Sequence, residues 1–327
     1  MKVKAFIQSN TIFLLLILAF IVSAIFVPHF TSSYNLKNFL LQSTDLLLIA
    51  TGLTFIVLNG GIDFSVTSVL ALGSVVGAYI MALSPLSATP VIAIPVAVIV
   101  MIAIGGTVGA VNGVAVTILK IPSFIATLST QLIFSGLAIL FTKKVASRTS
   151  IFGLPESFFV LGGEGKAFLV PIIIALFFSA LAYWILEYTR FGRHILSIGT
   201  NPKASFISGV PVKRVIFTLC LLSGLYAGIA SVVLTARNQA GISSMGDSMF
   251  ISIIASIVIG GTSILGGSGG FKQTLLGVLF ITLINNVMNL MGIPWFITMI
   301  VQGLMILFAA LSDFIIKSRK SFFQAVS

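Results

Sequence analysis

The chain has 327 residues, of which 58% are hydrophobic and only 8% charged, with a mean hydropathy of +1.19. Soluble domains are about 45–50% apolar and about 25% charged, and disordered chains combine low hydrophobicity with high charge, so both classes are excluded. The formal net charge of +11 comes from Lys and Arg scattered in short loops between apolar runs, which is membrane anchoring rather than a nucleic-acid stripe.

The apolar runs are of helix length and lack the alternation of barrel strands, so the chain reads as an all-α integral membrane protein. One polytopic domain covers 1–327, with about ten transmembrane helices drawn over 11–29, 38–58, 64–84, 90–119, 123–142, 169–189, 214–236, 248–267, 271–292 and 296–317. The first run, behind Lys2 and Lys4, resembles a secretory signal with Val22-Ser23-Ala24 as a cleavage site, but its length favours a retained helix. The fourth run contains Pro95 and Gly105-Gly106 and is expected to tilt or break there.

Ten spans put both termini on one side of the membrane. Twelve of the 18 Lys and Arg fall on that side and six on the other, so the positive-inside rule makes both termini cytoplasmic. Two loops are long: 143–168, external and polar, and 190–213, cytoplasmic and basic.

Catalytic and metal-binding patterns are missing. His29 and His194 are remote, Cys220 is the single cysteine, the seven acids are scattered, and no Walker A sequence occurs. Asp45 is the one acid well inside an apolar run, with no basic residue in its own span, which gives little support to a proton relay. The chain is therefore read as a transporter subunit without an ATPase motif of its own, not an enzyme; the alternative is an ion- or proton-coupled secondary carrier.

Several polar and glycine-rich features stand out in chain order. The turn Asn59-Gly60-Gly61-Ile62-Asp63-Phe64-Ser65 permits a tight reversal, with Asp63 or Ser65 available to cap the next helix. Gly260, Gly261, Thr262, Gly266 and Gly267 belong to a second glycine-rich turn, and residues 56–61 and 257–261 echo each other weakly. Gly105, Gly109 and Gly113, with Gly73/Gly77 and Gly224/Gly228, are spaced for close helix packing or a dimer seam. Asn285, Asn286, Asn289, Gln302, Gln131 and Asp45 are polar groups within spans, suited either to sugar hydroxyls or to helix–helix hydrogen bonds. Between spans six and seven, Asn201 can cap a short helix begun by Pro202 and ended by Gly209. This segment is either a surface connector or a docking knob.

Three of these stretches resemble the ribose/xylose/arabinose-type permease subunits of bacterial ABC importers. Residues 60–68 are similar to the family's G-G-I-D-L-S-V-G-S, residues 199–212 to its coupling segment, and residues 257–270 to its V-V-x-G-G-T-S-L-x-G-G-x-G. Phe64, Thr67, Thr200 and Ser205 depart from the pattern, and Phe250-Ile251-Ser252 replaces a common Glu-Leu-Asp. The resemblance implies an ABC importer permease fold in the bacterial plasma (inner) membrane and a monosaccharide, pentose, hexose, polyol or furanose, as substrate. It implies a periplasmic or lipid-anchored solute-binding protein, a second permease copy or close paralogue, and a separate ATPase subunit, with no cofactor in this chain because ATP and Mg belong to that ATPase. Residues 199–213 would then be the cytoplasmic coupling segment, with Gly199, Asn201, Pro202, Lys203, Ala204, Ser205, Ser208 and Gly209 contacting the ATPase.

Overall fold

A computed structural model describes residues 11–326, with side chains described as far as residue 309 and at residue 311. Lys2 and Lys4, counted in assigning the termini, lie outside the described residues. The helices are α1 (Thr11–Phe26), α2 (Ser33–Leu58), α3 (Val66–Ala82), α4 (Pro90–Thr117) and α5 (Ser123–Ala146), followed by the short α6 (Glu156–Phe159). Then come α7 (Leu169–Tyr188), α8 (Arg190–Thr200), α9 (Pro202–Ile207), α10 (Val212–Asn238), α11 (Met249–Ile259), α12 (Phe271–Leu290) and α13 (Trp295–Val326).

Among the described residues, six helices (α2, α4, α5, α7, α10 and α12) are long and apolar enough to cross a membrane. Four apolar helices are shorter: α1, α3, α11 and the Trp295–Ala309 part of α13. At 1.5 Å per residue α3 is about 25 Å long and α11 about 16 Å, against a hydrocarbon layer of about 30 Å. The expected span 248–267 is thus helical only over Met249–Ile259, because the glycines at 260 and 261 end it. The expected break in the fourth span is not there: α4 is one continuous helix, with Pro95 near its start. A proline so close to the N-terminus disturbs few intrahelical bonds.

The centre of the bundle is α2, buried continuously from Ser43 to Leu58, as expected of a helix that is apolar all round. It packs on α10, which makes its most extensive contact with α4. That contact is where the glycine stripe is used: Gly105 faces the Gly224 carbonyl, Gly109 the Cys220 carbonyl and Gly113 the Phe217 ring. The small residues therefore bring α4 and α10 together within one chain.

At one end, strand β1 (Ser150–Ile151) pairs antiparallel with β2 (Gly241–Ile242), with Ser150 opposite Ile242 and Ile151 opposite Gly241. The loop 147–168 is not a free polar loop. Ile151, Leu154 and Phe158 are buried in an apolar cluster with α3, α4 and α5. At the opposite end lie α8 and α9 and the turns that follow α2 and α11.

Candidate functional site

The three stretches singled out in the sequence meet at the α9 end. Thr189 caps α8, its Oγ1 accepting from the Gly192 N–H at 3.2 Å, and α8 buries Gly192, Ile195 and Ile198 while Arg190 and Arg193 stay exposed. Asn201 then stops α8 and starts α9: its Oδ1 accepts from the Ala204 N–H at 3.0 Å, with Pro202 in the first turn. After Ser208, Gly209 takes φ +82°, a left-handed conformation that reverses the chain into α10.

Gly199 is the root of this projection. A Cβ there would collide with the Leu58 carbonyl at the end of α2 and lie 2.6 Å from the Gly267 amide nitrogen. Gly267 itself donates to that Leu58 carbonyl at 2.9 Å, and a Cβ on it would lie 2.6 Å from Thr200 Oγ1. Gly266 sits equally close to Gly60, 2.7 Å from a Cβ to the Gly60 nitrogen. The ends of α2, α8 and the 260–270 loop thus form one junction with backbone against backbone, and the two weakly echoing turns touch each other there. The loop is anchored by Thr262, whose Oγ1 accepts from the Gly270 N–H at 3.3 Å, and by Gly260 and Gly277, which pack against α12 and α11 backbone.

Beyond the junction, α9 is almost wholly exposed. Ser205 is its buried residue, whereas Phe206 is 71% and Ile207 84% exposed beside Lys203, Ala204 and Ser208. Two large apolar side chains at the tip of a polar projection make a surface suited to burial against another protein. Next to the junction, a cavity of about 140 Å³ opens between the Asn59–Ile62 turn, Pro122, Thr127 and Cys220. Asn59 Oδ1 is buried beside it without a hydrogen-bond partner among the described residues.

Deeper in the bundle, residues 61–64 run without regular structure before α3 begins. Asp63 Oδ1 accepts from the Ser65 N–H at 2.9 Å and Ser65 Oγ at 2.6 Å, and its Oδ2 accepts from Ser223 Oγ at 2.8 Å. Ser65 Oγ also accepts from Asn112 Nδ2 at 2.8 Å, and Asn112 Oδ1 accepts from Thr130 Oγ1 at 2.7 Å. This buried chain ties α10, α3, α4 and α5 to the turn. The carboxylate is held by hydroxyl and amide donors and by the positive end of α3 rather than by a cation.

Of the polar residues noted within spans as suited to sugar hydroxyls or helix–helix bonds, four fall into three bonded sets and Asn289 stands apart. Asp45 is paired with Arg237 of α10 at 2.5 Å, its second oxygen buried without a partner among the described residues. Asn286 exchanges two amide hydrogen bonds with Asn35, at 2.8 and 3.0 Å, so it clamps α2 to α12. Asn285 Oδ1 accepts from Gln302 Nε2 at 2.6 Å, and Gln302 Oε1 accepts from Ser252 Oγ at 3.2 Å, linking α12, α13 and α11. Asn289 is exposed. Asn35, Asn112, Ser223 and Arg237 were missed in the sequence. Asn35 and Asn112 carry the same signal as the asparagines that were noticed, an amide in or beside an apolar run, while Ser223 and Arg237 acquire meaning only from their partners.

Known proteins share this chain along most of its length. It is 37% identical to the ribose import permease protein RbsC of Bacillus subtilis over 92% of this chain and 91% of that one. It is 33% identical to the D-allose transport system permease protein AlsC of Escherichia coli, over 93% of this chain and 90% of the other. Against the L-arabinose ABC transporter permease protein AraH of Azospirillum brasilense it is 31% identical, over 94% and 88%. No solved structure matches it. Residues 35–310, from the Asn35 clamp through the junction and the Gln302 link, match the family described as the permease component of branched-chain amino acid transport systems. The chain belongs to that family of transport permeases and is a multi-pass membrane protein.

Proposed function

We propose that this chain is the permease subunit of an ABC importer that carries a monosaccharide, a pentose or a related hexose, polyol or furanose, across the bacterial plasma membrane. The observation that carries the reading is α9: an exposed apolar tip whose root is locked, backbone to backbone, onto the end of the central helix α2. A partner seated on Phe206 and Ile207 moves the end of α2 with it, because no flexible side chain lies between Gly199 and Leu58. The partner is a separate ATPase that holds ATP and Mg, since this sequence contains no P-loop. Ten crossings with both termini cytoplasmic put α9 on the ATPase side, and a solute-binding protein delivers the sugar to the β1–β2 end. The permease works with a second copy or a close paralogue.

Relatives named for ribose, D-allose and L-arabinose support the substrate class. The test is co-purification of the tagged chain from native membranes in mild detergent, followed by reconstitution with the recovered ATPase and binding protein. The expected result is ATP-dependent uptake of one of these sugars. Recovery of the chain alone, with uptake abolished by an uncoupler at clamped ATP, would overturn the reading in favour of a secondary carrier.

A further inference from the structure

The chain between β2 and α11 is irregular, and its position is unusual. Gly241 packs on Ala78 and Ser74 of α3, and Gly246 packs on Leu70 and Thr67, so the segment descends along α3 toward the start of that helix. The Leu70 carbonyl accepts from Ser231 Oγ of α10 at 3.2 Å, while Asp63, just before α3, accepts from Ser223. Gly246 therefore lies between the levels of Ser231 and Ser223, about 10–20 Å inside the Asn238 end of a helix about 40 Å long. That is within the hydrocarbon layer of a membrane about 30 Å thick.

At this depth Ser244, Asp247 and Ser248 are exposed, and Asp247 has no ion-pair partner among the described residues. Unlike them, the exposed residues of α5 between Ser129 and Lys143 are apolar or glycine: Leu132 is 66%, Ile133 58% and Leu140 63% exposed. Irregular backbone and an unpaired carboxylate are tolerated at membrane depth only where they are buried in protein or line water. Just past Asp247, Phe250 stacks on Phe64 with centroids 4.4 Å apart, and Phe64 meets the half-exposed Phe124 edge-on at 5.6 Å. These rings sit between Asp247 and the α9 end, since α11 runs from Met249 to the junction.

We propose that residues 244–248 line the water-filled translocation route, that Asp247 is a sugar-contacting residue there, and that the Phe64–Phe250 pair closes the route toward the α9 end. A carboxylate can accept hydrogen bonds from two neighbouring hydroxyls of a sugar, and an aromatic pair offers an apolar surface to its C–H face. The inference rests on the permease reading and adds the place and chemistry of the contact. The rings close the path when stacked, and passage requires Phe64 and Phe250 to part as the junction at the α9 end moves.

The test places single cysteines in a Cys220→Ala background of the reconstituted complex and exposes them to a charged, water-soluble methanethiosulfonate. Asp247→Cys and Ser248→Cys should react at least about tenfold faster than Leu132→Cys; rates equal to that of Leu132→Cys would overturn the route. Labelling needs no sugar, so a complex whose unsubstituted form shows no ATP-dependent uptake of any pentose, hexose, polyol or furanose refutes the import reading alone. With the substrate that is imported, Asp247→Asn should raise the uptake KM about tenfold, and an unchanged KM would overturn the sugar contact.

Discussion

Asp45 and Arg237 come from sequence positions 192 apart, and each makes the other tolerable inside the bundle. Removing one charge leaves the second partly buried without compensation, which in folded proteins costs about 3–5 kcal/mol. Arg237→Gln alone should therefore markedly lower the thermal unfolding midpoint in detergent, and adding Asp45→Asn should restore most of the loss. A double variant no more stable than Arg237→Gln would show that the pair carries no such coupling. Asp63 poses a different problem, because its partners are donors without charge. Asp63→Ala leaves the Ser65 amide and the Ser223 hydroxyl unsatisfied, at about 1–3 kcal/mol each. Asp63→Asn keeps one acceptor oxygen and should unfold at a distinctly higher temperature than the alanine variant. Neither partnership was legible in the chain: Asp45 and the Asp63 turn stood out as polar breaks in apolar runs, but hydropathy says nothing about which distant hydroxyl or guanidinium will face them.

Among the elements, α9 was the most readable, because its start and stop rest on local backbone rules that Asn201, Pro202 and Gly209 obey within nine residues. Losing the Asn201 cap costs about 1 kcal/mol, enough to fray a helix of six residues. Asn201→Ala should thus leave the protein inserted at normal levels while sugar uptake and binding-protein-stimulated ATP hydrolysis fall together several-fold. Gly199→Ala acts at the root instead. Overpacking backbone against backbone costs about 1–3 kcal/mol and displaces α8 from α2, so the same two activities should fall with the α9 surface unaltered. A variant that still binds the ATPase in pull-down but fails to stimulate it would distinguish the two. The short helices were the least readable elements. Apolar residues continue past Ile259 to Ile264 and Leu265, so composition extended α11 through a turn that the paired glycines 260 and 261 create. Likewise, hydropathy cannot report that α3 and α11 are shorter than the helices around them.

For the molecule as a whole, membrane insertion and the helical class follow from composition, whereas its cohesion depends on contacts that hydropathy does not encode. In α4 and α10 the glycine spacing was visible and its partner was not; the close approach of Gly105 to Gly224 fixes the stripe as an internal seam. In the proposed reading, import driven from the α9 end with substrate received at the other requires the helices between them to move as units. Uptake in reconstituted vesicles should accordingly depend on ATP and persist when the proton gradient is collapsed. The Gly267 amide offers a way to watch the ends communicate. It lies in a loop whose glycine content would ordinarily mean rapid solvent exchange, yet it is bonded to the Leu58 carbonyl and covered by Thr200. Its proton should exchange with deuterium slowly while the junction is closed and quickly whenever α2 and α8 separate. That single isotope clock would register each opening of the transport cycle without any label attached to the protein.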